Sequence, residues 1–372
     1  MQDDMQAAVG DERHAALRKR CLFDRYRRGK LIAPQLGHSA SIAVPIPHSR
    51  PPMNRTPLSL LVTAALAAAT LAACSKPQPA ASDAPAPAAA PVAATAPAAE
   101  SANPDVLRFK IGALDATALK DGDIDAGNDG KTFAIGHPPA DVAALLAAAG
   151  QPTDVLHLSI QPLLVRSGAR VLLFDTGAAD ASFARAGRLP ASLRAAGVEP
   201  SQVTDIFLSH QHQDHVGGLL TGEGKLAFPN AALHLSAPEW DSLKRDKDAA
   251  ALVAAMTPKV ATFQPGAAII PGVVTAVAVD GHTPGHSAYE IASGDQRLLY
   301  IGDTAHHYVI SVQRPEWTIQ YDTDAPLAQT SRRALLQRAA DGNLRVYSVH
   351  FPFPGLGRIK AQGESFVWVP ES

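Results

Sequence analysis

Leu208-Ser209-His210-Gln211-His212-Gln213-Asp214-His215-Val216-Gly217-Gly218 is the stretch on which the reading of this chain turns. Three imidazoles and a carboxylate fall between positions 210 and 215, directly after the apolar run Ile206 to Leu208. That run reads as a buried strand ending in a polar loop. Side chains alternate along an extended chain, so His210 and His212 face one side and two nitrogens can converge on a single cation. Asp214 and His215 fall on the following turn, free to aim at a second cation beside the first.

Further candidates lie downstream, each at the end of a segment that reads as a strand. Val273 to Val279 leads into Gly281-His282-Thr283-Pro284-Gly285-His286. Tyr289 to Ala292 and Arg297 to Ile301 flank Ser293-Gly294-Asp295-Gln296 as a hairpin would, and the second strand runs into Gly302-Asp303-Thr304. A final strand, Arg345 to Val349, delivers His350. Upstream, Val106 to Ile111 alternates like an edge strand, Asp121 to Gly130 reads as a turn-rich connection, and Arg170 to Asp175 ends in Asp175-Thr176-Gly177. Helices are expected over Leu189 to Ala196, over Glu239 to Lys247 behind a Ser236…Glu239 capping box, and over Pro326 to Ala340.

The HxHxDH-Gly-Gly motif resembles the metallo-β-lactamase superfamily. The segments Leu172 to Ala178, Leu226 to Ala231, Gly281 to His286 and His350 to Gly357 look most like methyl parathion hydrolase-like enzymes within it. The resemblance implies an α/β fold, a four-layered αββα sandwich, with the metal site at one edge between two sheets. It also implies a ligand set: His210, His212 and His286 on one metal, Asp214, His215 and His350 on the other, and Asp303 bridging them, with Asp214 and Asp303 as the catalytic carboxylates. His282, His306 and His307 have no slot in this set and read as neighbours or surface residues.

All-N/O ligation suits two divalent ions, zinc before iron, manganese or cobalt. The chemistry implied is hydrolysis of neutral esters, lactones or phosphotriesters through a metal-bridging hydroxide. A bridging aspartate at the position of Asp303 distinguishes this side of the superfamily from the true zinc β-lactamases. No GxSxG elbow competes as a nucleophile. Asp175 and Asp205 are expected to hydrogen-bond to ligand imidazoles from behind. Phe183, Trp240, Phe351 and Phe353, with Trp317, are the candidates for lining a substrate pocket. The alternatives are a glyoxalase II-like thioester hydrolase and a non-catalytic, lipid-anchored binding protein of the same fold; the relatives suggest a homodimer.

The 372 residues are 46% hydrophobic and 18% charged with net charge −2, which points to a small-molecule substrate and not to nucleic acid. Two cysteines, Cys21 and Cys74, can build neither a disulfide framework nor a cysteine-rich zinc knuckle. Residues 1–52 show no sustained apolar period and read as an extension ahead of the true start at Met53. Residues 53–73 form a signal peptide: a short polar opening, the apolar run Leu58 to Ala69, and Leu71-Ala72-Ala73-Cys74, which resembles the lipobox of bacterial lipoproteins. That run falls short of the ~20 residues a spanning helix needs. Residues 74–104 are an Ala/Pro-rich linker that cannot bury a core, leaving 105–372 as the hydrolase domain. The expectation is a lipoprotein facing the periplasm, tied to the membrane of a bacterial cell envelope through lipidated Cys74. Cys74→Ser should release the protein from the membrane fraction or block its processing; a wild type that carries no lipid by mass spectrometry contradicts this.

Overall fold

A computed structural model describes residues 103–371; the expected signal segment, Cys74 and all but the end of the linker lie outside the described residues. Short strands with apolar residues on both faces must be covered on both sides, and the chain does this by pairing two sheets. The first is ordered β1 (Val106–Ile111), β2 (Leu114–Leu119), β6 (Leu163–Ser167), β7 (Arg170–Phe174), β8 (Asp205–Phe207), β9 (Ala232–Ser236) and β10 (Val260–Phe263). The second is ordered β11 (Ala268–Ile270), β12 (Val274–Ala278), β13 (Ser287–Ser293), β14 (Gln296–Tyr300), β16 (Arg345–Tyr347), β17 (Leu356–Gln362) and β18 (Ser365–Pro370).

The period of two is visible in single strands. In β7, Leu172 and Phe174 join the core between the sheets while Leu173 faces outward. In β14, Leu298 and Tyr300 face inward and Leu299 outward. The inner core is rich in aromatics: Phe174 stacks on Phe207 with centroids 4.9 Å apart, and Tyr289 meets both edge-on at 5.6 Å. Helices α2 (Leu189–Ala195), α4 (Ala237–Arg245) and α5 (Ala250–Met256) cover the outer face of the first sheet through Leu193, Leu243 and Met256. Helix α7 (Ala325–Asp341) covers the second through Leu335, Leu336 and Ala339. The result is the four-layered αββα sandwich.

Two parallel pairings decide where chemistry can occur. β7 and β8 run parallel in the first sheet, and β14 and β16 run parallel in the second. Their carboxyl ends carry Asp175, His210, Asp303 and His350.

Two expectations are corrected. Asp121 to Gly130 is not mainly a turn: β3 (Gly122–Gly127) pairs antiparallel with β5 (Val155–Ile160). Its aspartates misled because they are neutralised across the chain, Asp123 by Arg188 at 3.1 Å and Asp125 by Arg185 at 2.5 Å. Nor is Arg345 to Val349 the final strand, since β17 and β18 follow and complete the second sheet.

The segment between β3 and β5 forms β4 (Phe133–Ile135), which pairs with β15 (Thr318–Ile319), and α1 (Pro139–Ala148). Phe133, Val142, Leu146, Val309 and Trp317 form a separate apolar cluster here. The short α6 (Ile310–Gln313) follows, its first turn capped by His307, whose Nδ1 accepts from the amides of Val309 and Ile310 at 3.2 and 3.3 Å.

That cap needs an unprotonated Nδ1, and burial, with His157 adding to it, holds the His307 pKa down from 6.5 to about 4. The unfolded chain therefore binds the proton first, so this contribution is complete above pH 6.5 and is lost as pH falls towards 4. The shift corresponds to at most about 3 kcal/mol. His307→Asn keeps a cap acceptor without the titration, and should flatten the fall of melting temperature across that window; an unchanged slope contradicts the assignment.

Candidate metal centre

The ligand loop begins where β8 ends. Leu208 and Ser209 continue the strand direction, His210 and His212 follow, and Asp214 and His215 lie in the single-turn helix α3 (Gln213–Val216). Asp303 sits in the tight turn after β14, His350 just beyond β16, and His282 in the loop from β12 to β13.

These side chains form two groups that share one residue: His210, His212, His282 and Asp303, and Asp214, His215, Asp303 and His350. In the first, His210 Nε2 lies 2.9 Å from His212 Nδ1 and 3.3 Å from His282 Nε2, and Asp303 Oδ2 is 3.4 Å from His282 Nε2. In the second, Asp303 Oδ1 lies 3.1 Å from both His215 Nε2 and His350 Nε2, and Asp214 Oδ2 is 3.4 Å from His350 Nε2. Asp303 thus turns one oxygen to each group.

His282, not His286, completes the first group. Both nitrogens of His286 are engaged elsewhere: Nδ1 lies 3.3 Å from the Val279 carbonyl, and Nε2 accepts the backbone N–H of Asp303 at 2.9 Å. His286 therefore sets the turn that carries Asp303. Gly302, at φ +49°, is what lets that turn press on the ring, since a Cβ there would stand 2.7 Å from His286 Nε2.

Carboxylates orient the imidazoles from behind. Asp175 Oδ2 lies 2.7 Å from His215 Nδ1 and also accepts from Tyr300 Oη and Ser209 Oγ, each at 2.7 Å. It holds φ +57°, a left-handed conformation that an aspartate tolerates better than most residues. Asp205 does not share this role. It stands at the other end of β8, bonded to Arg170, His234 and Thr204 and to no ligand. The second such carboxylate is instead Asp322, 3.0 Å from His282 Nδ1 and itself paired at 3.0 Å with the buried Arg332.

The electrostatics fit a cation. Burial, reinforced by neighbouring imidazoles, drives His210 and His212 well below the usual histidine range, so they are neutral donors. Burial also disfavours charge on His215, His282 and His350, but Asp303 with Asp214, Asp175 or Asp322 overcomes it and holds all three up. Burial opposes charge on Asp303 as well, yet His215 and His350 hold its carboxyl well below the carboxylate range. A divalent ion held there would take the place of those protons. His215 Nε2 and Asp303 Oδ1 are buried with no hydrogen-bond partner, which suits atoms that would ligate a metal.

The expected pocket aromatics are dispersed. Phe351 is wholly buried in the outer core against Trp368 and Tyr308, and Trp240 packs on the outer face of the first sheet. Trp317 is buried in the apolar cluster around Phe133, stacked on His137. Phe353 packs against the inner core beneath Lys120, and Phe183 against Ile160 and Ala178 on the loop after Asp175. A depression of about 610 Å³ beside that loop is lined by Asp123, Ser182, Arg185 and Arg188 and holds no ligand residue. His306, expected as a neighbour of the site or a surface residue, is a buried neighbour: its Nε2 lies 3.0 Å from Asp303 Oδ2, its ring meets His282 edge-on at 4.9 Å, and Phe133 packs edge-on against it at 6.4 Å.

The profile of the metallo-beta-lactamase superfamily matches residues 158–350. The chain belongs to this superfamily. It is a metal-dependent hydrolase by that membership and by the His/Asp metal site. Among solved structures, AidC, a dizinc quorum-quenching lactonase in complex with the product N-hexnoyl-L-homoserine, is 31% identical over 72% of this chain and 97% of its own, with a TM-score of 0.68. The hydrolase AbOPH of the beta lactamase superfamily is 29% identical over 72% and 98%, with a TM-score of 0.65. A probable metal-dependent hydrolase from Staphylococcus aureus, 18% identical with a TM-score of 0.59, shares the fold. No curated protein matches.

The two histidines of the Gly281 to His286 loop can be told apart. His282→Ala should strip metal and lower turnover by orders of magnitude, whereas His286→Gln, which disturbs only the seat of Asp303, should weaken metal retention about 10–100-fold. Metal analysis showing the reverse order contradicts the assignment.

Proposed function

We propose that this hydrolase opens neutral lactones and esters, phosphotriesters included, at a site for two divalent cations, zinc foremost. The observation that carries the reading is Asp303, one oxygen turned to each of two ligand groups. Two such cations, when bound, supply Lewis acidity and a water nucleophile at neutral pH. The chain's part is to hold them by His210, His212 and His282 on one side and Asp214, His215 and His350 on the other, with Asp303 common to both. Asp175 and Asp322 keep the imidazoles of His215 and His282 aimed, and the sandwich rim fixes the spacing.

The preference for an uncharged substrate is supported by the surroundings. Phe133 and its apolar cluster press on His306 at the edge of the site. Arg332, behind His282, is committed to Asp322 and to the carbonyls of Thr304, Pro315 and Trp317. A dianion would need charge-assisted donors, and among the described residues no Lys or Arg pairs with Asp214 or Asp303. AidC, at 31% identity, is a lactonase, which favours the lactone end of the range. We also propose that Cys74 tethers this domain to the cell envelope, on the strength of the lipobox-like segment.

The test is kcat/KM on one metal-quantified preparation for a nitrophenyl ester, a γ-lactone such as N-hexanoyl-homoserine lactone, methyl paraoxon and nitrophenyl phosphate. The neutral substrates should lead and Asp303→Ala should abolish turnover while lowering metal content. A preference for the phosphate monoester, or two retained ions in Asp303→Ala, overturns the proposal. Methyl paraoxon above both ester and lactone shifts it to a methyl parathion hydrolase-like phosphotriesterase.

A further inference from the structure

The start of α4 does something that its sequence motif does not require. Ser236 caps the helix as expected, its Oγ accepting from Glu239 N at 3.3 Å. In a full capping box the glutamate reaches back to the cap residue's own amide. Glu239, wholly buried, points elsewhere: Oε1 accepts the N–H of Gln211 at 3.0 Å and Oε2 accepts the N–H of Gly285 at 2.8 Å. Gln211 stands between His210 and His212, and Gly285 lies three residues beyond His282. One carboxylate therefore joins the ligand loop of the first sheet to the ligand loop of the second.

The rest of the helix start supports the same link. Ser236 Oγ donates to the Gly285 carbonyl at 2.6 Å, and Gln211 Nε2 donates to Ser242 Oγ at 3.2 Å. Gly285 is pressed so close that a Cβ there would stand 2.3 Å from Ser236 Oγ and 2.4 Å from Glu239 N. Among the described residues no Lys or Arg pairs with Glu239, so its bonds to these backbone amides are not secondary to an ion pair. A buried carboxylate without a cation is costly unless donors satisfy it, and here the donors are the two loops.

We propose that Glu239 is a positioning residue that sets the separation between the His210/His212 pair and His282, and with it the affinity of the cation that those three imidazoles hold. Glutamine has nearly the same shape but accepts on one side only, and its NH₂ faces the other amide donor. Glu239→Gln should therefore free one loop from the other while leaving Asp214, His215 and His350 in place.

The experiment is zinc retention by the full-length protein, loaded with zinc and dialysed against graded chelator, with His282→Ala marking the step that belongs to the first group. Glu239→Gln should lose that zinc at about 10–100-fold lower chelator strength and keep the other. Asp121→Asn is the control for general destabilisation. It alters an equally buried carboxylate that accepts the amides of Ala178, Gly187 and Leu189 and bonds to neither Gln211 nor Gly285. It should lower the melting temperature without moving the retention curve. Unchanged retention in Glu239→Gln, or an equal shift in Asp121→Asn, overturns the proposal. If Glu239→Gln does not fold, Ser236→Ala cuts the neighbouring bond to Gly285 and should loosen the same zinc, with unchanged retention again overturning it. The inference leans on the two-cation reading only for which zinc is loosened. A wild type that holds one zinc defeats that reading, yet weaker retention of that zinc in Glu239→Gln still supports the role of Glu239, and equal retention removes it.

Discussion

A carboxylate buried to 3% exposure among imidazoles is the constraint on which this molecule depends. Asp303 has His210 and His282 within 3.7 Å of one oxygen and His215 and His350 within 3.1 Å of the other. Such a charge is tolerable only if cationic partners surround it, whether protonated imidazoles or metal ions. The ligands come from four chain segments, at 210–215, 282, 303 and 350, so their convergence is a property of the two sheets and not of any loop.

The sandwich meets that demand by placing parallel strand ends together on one rim. Above the aromatic inner core, Tyr289 Oη donates to the Leu208 carbonyl at 2.5 Å and Tyr300 Oη to Asp175, so these two inner-face tyrosines of the second sheet grip the chain of the first. Ser287 adds a backbone bond to Ser209 at 2.9 Å. Behind the ligands stand further buried carboxylates, Asp175, Asp322 and Glu239, each satisfied by named donors. Rigidity at the site thus follows from polar groups that cannot be left unpaired in a dry interior.

The sequence by itself determined a good deal. Apolar strands ending in metal-binding residue types are local signals, so His210, His212, Asp214, His215, Asp303 and His350 could be picked out as candidates one at a time, while the four-layered sandwich and the division of ligands between two metals came from the family resemblance. Tertiary structure alone decided which histidine of the Gly281 to His286 loop turns towards the cation site. Both flank the same Thr-Pro-Gly turn, and only the approach of the Asp303 amide occupies His286. It likewise decided that Asp205 pairs at the opposite end of its strand, that Phe351 belongs to the core, that His306 enters the site, and that Glu239 bridges two loops instead of closing its own cap. The reason is common to all five. A side chain's type is written locally, but its partner is whatever the packing of two sheets brings within about 3 Å of it.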